Sequence, residues 1–150
     1  MFVVDTNVFV HAADTHGPHH PACFQAVERW RAGADAWFTT WSVLYEFLRV
    51  VTHRRVLARP LSMTDAWRLV EALLASPALR VLAETERHAE VARAVVVECP
   101  WMEGNLAHDA HIAILMREHG VRRIYTRDAD FHRFAFLEVV DPVAQAAPLR

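Results

Sequence analysis

Lysine is absent from this chain of 150 residues: all sixteen basic side chains are arginine. The missing amine excludes whole classes of chemistry. P-loop NTPases, Schiff-base and pyridoxal-phosphate enzymes, phospho-aspartate receivers and phosphatases with a lysine beside their aspartate all require it. Arginine can still grip phosphate through two parallel hydrogen bonds without losing its charge. Cysteine is scarce too. Cys23 and Cys99 stand apart without ligand spacing and fit small core or surface thiols of a reducing cytoplasm. No apolar run reaches the length of a membrane span, and Met1-Phe2-Val3-Val4-Asp5 has no basic segment ahead of its apolar run, so neither a membrane anchor nor a secretory signal is expected. Repeats, low-complexity tracts and linkers are also missing, so residues 1–150 are expected to form one domain.

What is present is a core. Hydrophobic residues make up 53% of the chain, which excludes disorder, and a net charge of −2 excludes a general polyanion binder. Strand-like runs at residues 2–5, 36–40, 79–82, 123–126 and 137–140 alternate with helical patterns at 21–32, 42–53, 63–75, 86–98 and 106–119. Pro21 suits a first helical turn, Ser62, Thr85 and Asn105 are expected caps, and Gly120 is an expected terminator. Residues 16–21 read as a loop. Such alternation predicts an α/β fold with a central, mostly parallel sheet of about five strands between helical layers. In sheets of this kind ligands bind at the carboxyl ends of the strands.

Four acids distant in sequence fall where that architecture gathers side chains. Asp5 follows Phe2-Val3-Val4, and Asp128 follows Ile124-Tyr125-Thr126-Arg127. Each could equally close a polar turn. Glu46 shares a helical stripe with Ser42, Arg49 and His53, which reads either as a solvated face with a Glu46–Arg49 ion pair or as the wall of a cleft. Asp109 lies on the face of Ile112, Ala113 and Met116. A carboxylate extending an apolar face is costly unless compensated, and a helix N-terminus contributes only about 0.3–1 kcal/mol. Carboxylates brought together repel one another, and a divalent cation removes that penalty. The set therefore reads as a Mg²⁺ or Mn²⁺ site of the kind that hydrolyses phosphodiesters. Thr6, Asn7, Thr40, Ser42 and Thr126 offer neutral groups near the same edge.

Taken together, Asp5-Thr6-Asn7 after an apolar strand, Glu46 within a helix, Asn105-Leu106-Ala107-His108-Asp109-Ala110 and Tyr125-Thr126-Arg127-Asp128-Ala129-Asp130-Phe131 resemble PIN domains, and more closely the VapC-type ribonuclease toxins of prokaryotic toxin–antitoxin pairs. The resemblance extends over essentially the whole chain. It implies the three-layer PIN-like fold and a Mg²⁺- or Mn²⁺-dependent endoribonuclease in the cytoplasm. It also implies a homodimer that forms a heterotetramer or larger assembly with a cognate antitoxin laid across the active-site groove. By position, Asp5, Glu46, Asp109 and Asp128 would be the catalytic, metal-binding carboxylates. Asn7 would support them, Thr126 would help to order Asp128, and Asp130 would support Phe131 and the following turn. Transfer and ribosomal RNA are substrates of the family, and single-stranded loops are the natural target.

Other features admit two readings. Arg49, Arg54, Arg55 and Arg59 form the densest basic stretch and could hold an RNA backbone or simply be solvated. Trp41, Tyr45, Phe47, Trp67, Leu69 and Leu73 suggest an antitoxin interface, or else core packing. His16, His19 and His20 could bind zinc or nickel, although a solvent-facing loop is the plainer reading. His108 and His111 read as phosphate-side or solvent-facing groups. Three further functions compete with the toxin: a housekeeping PIN nuclease in RNA processing, a PIN module that only binds RNA or protein, and a phosphoryl-transfer enzyme with Asp5 as nucleophile. The last lacks a second acid at Asn7 and any lysine.

Overall fold

A computed structural model describes residues 1–146. The apolar runs form five short strands, β1 (Phe2–Val4), β2 (Trp37–Thr40), β3 (Leu79–Leu82), β4 (Arg123–Tyr125) and β5 (Glu138–Val140). All neighbours pair in parallel, in the order β3-β2-β1-β4-β5. Val3 stands opposite Ile124 and Val4 opposite Tyr125, so the register brings the ends of β1 and β4 level.

The connections carry the helices α1 (Thr6–Ala13), α2 (His20–Ala32), α3 (Trp41–Val51), α4 (Met63–Leu74), α5 (His88–Glu98) and α6 (Leu106–Glu118), and α7 (Pro142–Ala146) follows β5. α1 packs on α2 and α3, and α3 packs on α4, whereas α5 and α6 pack on each other. This division follows from handedness. Right-handed crossovers that run outward from β1 to β3 place their helices on one face, and the return to β4 places α5 and α6 on the other. The chain thus reverses direction between β1 and β4, the switch point at which such sheets open a crevice.

The core between the layers is apolar and aromatic, with Trp37, Phe47, Phe131, Phe134, Leu44 and Met116 fully buried. Cys23 and Cys99 are buried and free. No helix among the described residues is long and apolar enough to cross a membrane.

Three local expectations differ from the structure. α1 had no sequence signal of its own beyond a possible cap, because three consecutive residues, Val8, Phe9 and Val10, are buried and leave no helical periodicity to read. Thr85 does not cap α5, whose first residue is His88. Its hydroxyl binds the Glu118 carboxylate and accepts from the Arg87 amide (3.2 Å). Asn105 precedes α6 but already has helical dihedrals (φ −65°, ψ −23°), so its side chain makes no capping bond. Ser62 and Thr40, with extended backbone, do cap α4 and α3.

Candidate active site

Asp5 is the point from which the site is built. The residue leaves β1 in an extended conformation and caps α1, its Oδ1 accepting from the Thr6 amide at 2.6 Å. Its other oxygen accepts from the Thr126 hydroxyl and the Asn7 amide group, each at 2.6 Å. Three of about four lone-pair positions on the carboxylate are thereby used, and one is left. Asp5 is only 5% exposed.

Thr126 follows β4 and joins the two strand ends. Besides donating to Asp5 it accepts from Asn7 (2.8 Å) and from the Asp128 amide (2.9 Å). The hydroxyl thus orders Asp5 directly and Asp128 through the backbone. Asn7 completes the link by accepting from the Arg127 amide at 3.0 Å. Asp128 caps the short 3-10 helix Ala129–Arg133, its Oδ1 accepting from the Asp130 amide at 2.9 Å.

Glu46 comes from the middle of α3, which follows β2. One of its oxygens accepts from the Thr6 hydroxyl (3.1 Å) and the other from Arg49 (3.1 Å). Both readings of its helical stripe therefore hold together: the ion pair forms, and Ser42, Glu46 and Arg49 line a cleft. His53, the fourth member, lies beyond α3 and does not line it. Asp109, half-buried in the first turn of α6, has no side-chain hydrogen bond or ion pair among the described residues.

These side chains meet in two adjoining hollows. An open cleft of about 750 Å³ is lined by Glu46, Asp109 and Asp128 together with Ser42, Tyr45, Arg49, Asn105, His108 and Ile112. A smaller hollow of about 230 Å³ shares Glu46, Asp109 and Asp128 and adds Asp5, Thr6, Asn7 and His11. Carboxylate oxygens of Asp109, Asp128 and Asp130 all lie within 4.8 Å of one another. Asp130 is exposed, and its own pairing, with Arg133 at 3.9 Å, is long. Its carboxylate faces the acid group, while its amide serves the turn.

The electrostatics carry the cost of this crowding. Burial pushes Asp109 up to about 7, with Asp128, Asp5, Asp130 and Glu46 adding repulsion. Burial also pushes Asp5 up to about 6, against the hydrogen bonds from Thr126 and Thr6 and with the repulsion of Glu46 and Asp128. An all-oxygen donor set, crowded and short of compensating charge, fits a hard divalent cation.

Some expected contributors lie elsewhere. Arg54, Arg55 and Arg59 are exposed in the loop after α3 and do not line the cleft. His111 pairs with Glu84 at 2.9 Å, away from the acids. Trp41, Tyr45, Trp67 and Leu69 are exposed, whereas Phe47 and Leu73 belong to the core. His11 is the residue that sequence reading passed over. Its ring reaches the smaller hollow from α1, an element without a periodic signal, and burial beside His19 and Arg127 lowers its pKa.

Known proteins match this chain in sequence and in fold. The family described as PIN domain matches residues 2–137. Ribonuclease VapC48 of Mycobacterium tuberculosis is 36% identical over 138 residues, covering 92% of this chain and 94% of the relative. The solved structure of Mycobacterium tuberculosis VapC20, described as a sarcin-ricin loop cleaving toxin, superimposes with a TM-score of 0.67 at 23% identity, over 94% of this chain and 100% of that one. VapBC2 from Rickettsia felis, solved bound to a DNA fragment from its promoter, matches with a TM-score of 0.67 at 15% identity, over 93% of this chain and 96% of that one.

Proposed function

The chain belongs to the PIN-domain family, among its VapC-type ribonucleases, and on that footing we propose that Asp5, Glu46, Asp109 and Asp128 hold Mg²⁺ or Mn²⁺ for the hydrolysis of RNA. It is an RNA-cleaving hydrolase and the toxin component of a toxin–antitoxin pair. The observation that carries the metal assignment is Asp109. A half-buried carboxylate with no partner among the described residues, crowded by four neighbouring acids and raised to about 7 chiefly by burial, is costly as an anion, and a cation beside it removes that cost.

Bound at this cluster, the ion supplies the positive charge that activates water and stabilises the leaving oxygen of an in-line displacement. The chain's own residues do the rest. Thr126, Asn7 and the Thr6 amide hold the Asp5 carboxylate at the wall of the smaller hollow. Thr6 holds Glu46 at the opposite wall. Asp130 adds an exposed carboxylate beside Asp109 and Asp128. Arg49, paired to Glu46 on the cleft side, is placed to meet a phosphate of the substrate backbone. Arg54 and Arg55 extend the basic track just beyond. Since the overall charge is −2, RNA is gripped locally, and an unpaired loop that can enter the cleft is the fitting substrate.

The antitoxin would lie over the exposed aromatic face of α3 and α4, with homodimers of this chain joined in a larger assembly. Tyr45 belongs both to that face and to the cleft, so a partner seated there reaches the acids. The test is expression of wild type and of Asp5→Asn and Asp109→Asn, paired with RNA cleavage by the purified proteins. Wild type should arrest growth and lose cleavage in excess EDTA. Each variant should relieve arrest and cleave about 10²–10³-fold more slowly, the factor expected for several kcal/mol of lost metal assistance. Full activity in EDTA would remove the metal from the mechanism. A folded wild type with no ribonuclease activity would favour the binding-only PIN module.

A further inference from the structure

Two positions along α6 from Asp109, a second group of metal-ligating side chains faces away from the cleft. Helical residues two apart point about 200° from each other, so His111 leaves the opposite side of the helix. Its Nε2 lies 2.9 Å from a carboxylate oxygen of Glu84, in the connection after β3. The ring of His88, at the start of α5, stands edge-on to that of His111, with centroids 5.7 Å apart. Ligand atoms of Glu84, His88 and His111 all lie within 4.8 Å of one another, and none of the three lines the acidic cleft.

An independent observation concerns the other edge of His88. Its Nδ1 is 2.7 Å from Glu118 Oε2, and the Glu118 side chain is only 1% exposed. Glu118 also accepts from the Thr85 amide at 2.7 Å and from the Thr85 hydroxyl. The Glu118 carboxylate accepts the hydrogen bond of His88 Nδ1–H, which fixes the tautomer with its lone pair on Nε2. Orientation of a liganding imidazole by a carboxylate is the usual support of a histidine metal site.

We propose that Glu84, His88 and His111 form a second cation site, for a borderline-soft divalent transition metal of the Zn²⁺ kind, with Glu118 and Thr85 positioning His88. Two imidazoles and one carboxylate suit Zn²⁺, Co²⁺ or Ni²⁺, in contrast to the all-oxygen cleft that suits Mg²⁺. Bond lengths of about 2.0–2.1 Å set tetrahedral ligands roughly 3.4 Å apart, within reach of small side-chain rotations here. Three protein ligands leave a fourth position to water. An ion at this place ties the connection after β3 to α6 and the start of α5, so loading it raises thermal stability.

The test titrates Zn²⁺ into the metal-free full chain carrying Asp5→Asn and Asp109→Asn, which disables the acidic cleft, by calorimetry and thermal melting. One equivalent should bind and raise the melting temperature. Adding His88→Ala or His111→Ala should weaken binding by at least ~100-fold, and Glu118→Gln should weaken it by about 10–100-fold. Co²⁺ should give visible absorption that His111→Ala removes. Zinc affinity unchanged by His88→Ala and His111→Ala overturns the proposal, as does binding lost only on substitution of His19 and His20. If the alanine variants fail to fold, histidine NMR of the double-Asn chain decides. Zinc should shift the ring signals of His88 and His111, and unmoved signals reject the site.

Discussion

Asp109 and Asp5 pull function and stability in opposite directions. Both carboxyls are raised in the folded metal-free chain, to about 7 and about 6 from 3.8, chiefly by burial. Between those values the folded state holds more protons than the unfolded state, so their contribution to stability falls as pH rises from about 4 to about 7. Below that window both states are protonated and the penalty vanishes. Asp109→Asn should therefore stabilise the metal-free protein at pH 8, by on the order of 1 kcal/mol. The full shift would give more, but a half-buried group is screened by solvent. The advantage should disappear near pH 4. Urea denaturation of both proteins at the two pH values measures it, and a variant less stable than wild type at pH 8 would show that Asp109 is already compensated without metal. His11, in the same hollow, shows the limit of reading single residues: nothing around it in the sequence separates it from a buried histidine of a packed helix.

At the scale of elements, what was legible depended on the range of the interaction. Helices α3 and α4 display their apolar stripes within a dozen residues, and the Ser62 cap of α4 was equally local; Thr40 caps α3 through a bond of the same range but was not expected to. Asp5 and Asp128 stand out by closing apolar runs and Asp109 by interrupting an apolar face, whereas Glu46 sits in a polar stripe that gives no such signal. The links that arm the four acids were not legible, beyond the supporting roles of Asn7 and Thr126 that the family resemblance implies. Thr6 reaches Glu46 across 40 positions, Asn7 reaches Arg127 across 120, and Thr126 reaches Asp5 across 121. Only the pairing of β1 beside β4 makes the last two contacts local. Thr126 is accordingly the hinge of the site, a 1% exposed hydroxyl that ties the strand ends together. Thr126→Val should cost about 1–3 kcal/mol, because Asp5 and Asn7 are left with unmet partners in a buried place. It should also slow cleavage at saturating metal, whereas Thr126→Ser should restore both. Chemical denaturation and cleavage rates together check this. A valine variant with wild-type stability and rate would mean that Asp5 is held by Thr6 and Asn7 alone.

Across the whole molecule, the sheet order sets the acids at the switch point and leaves α3 and α4 to present aromatic surface beside them. Trp41 and Tyr45 are 44% and 62% exposed, and Trp67 and Leu69 on the next helix are 37% and 39% exposed. The core is filled by other aromatics, among them Trp37, Phe47 and Phe9, whose rings pack on one another. Solvated tryptophan on two adjacent helices is the composition of an interface centre rather than of a plain surface. An antitoxin seated here would cover Tyr45 and with it the edge of the cleft, which gives inhibition without contact to every carboxylate. Trp67 is the sharper probe because it lines neither hollow and, among the described residues, its indole N–H pairs only along its own helix, with Glu71 at 3.1 Å. Trp67→Ala should weaken antitoxin binding by roughly 30-fold, about 2 kcal/mol for an aromatic anchor, while RNA cleavage by the isolated chain stays within about twofold. Titration of the antitoxin into both proteins, read as inhibition of cleavage, measures the two effects at once. Equal inhibition curves would move the partner off α3 and α4, and a parallel loss of cleavage would make Trp67 part of the RNA surface instead.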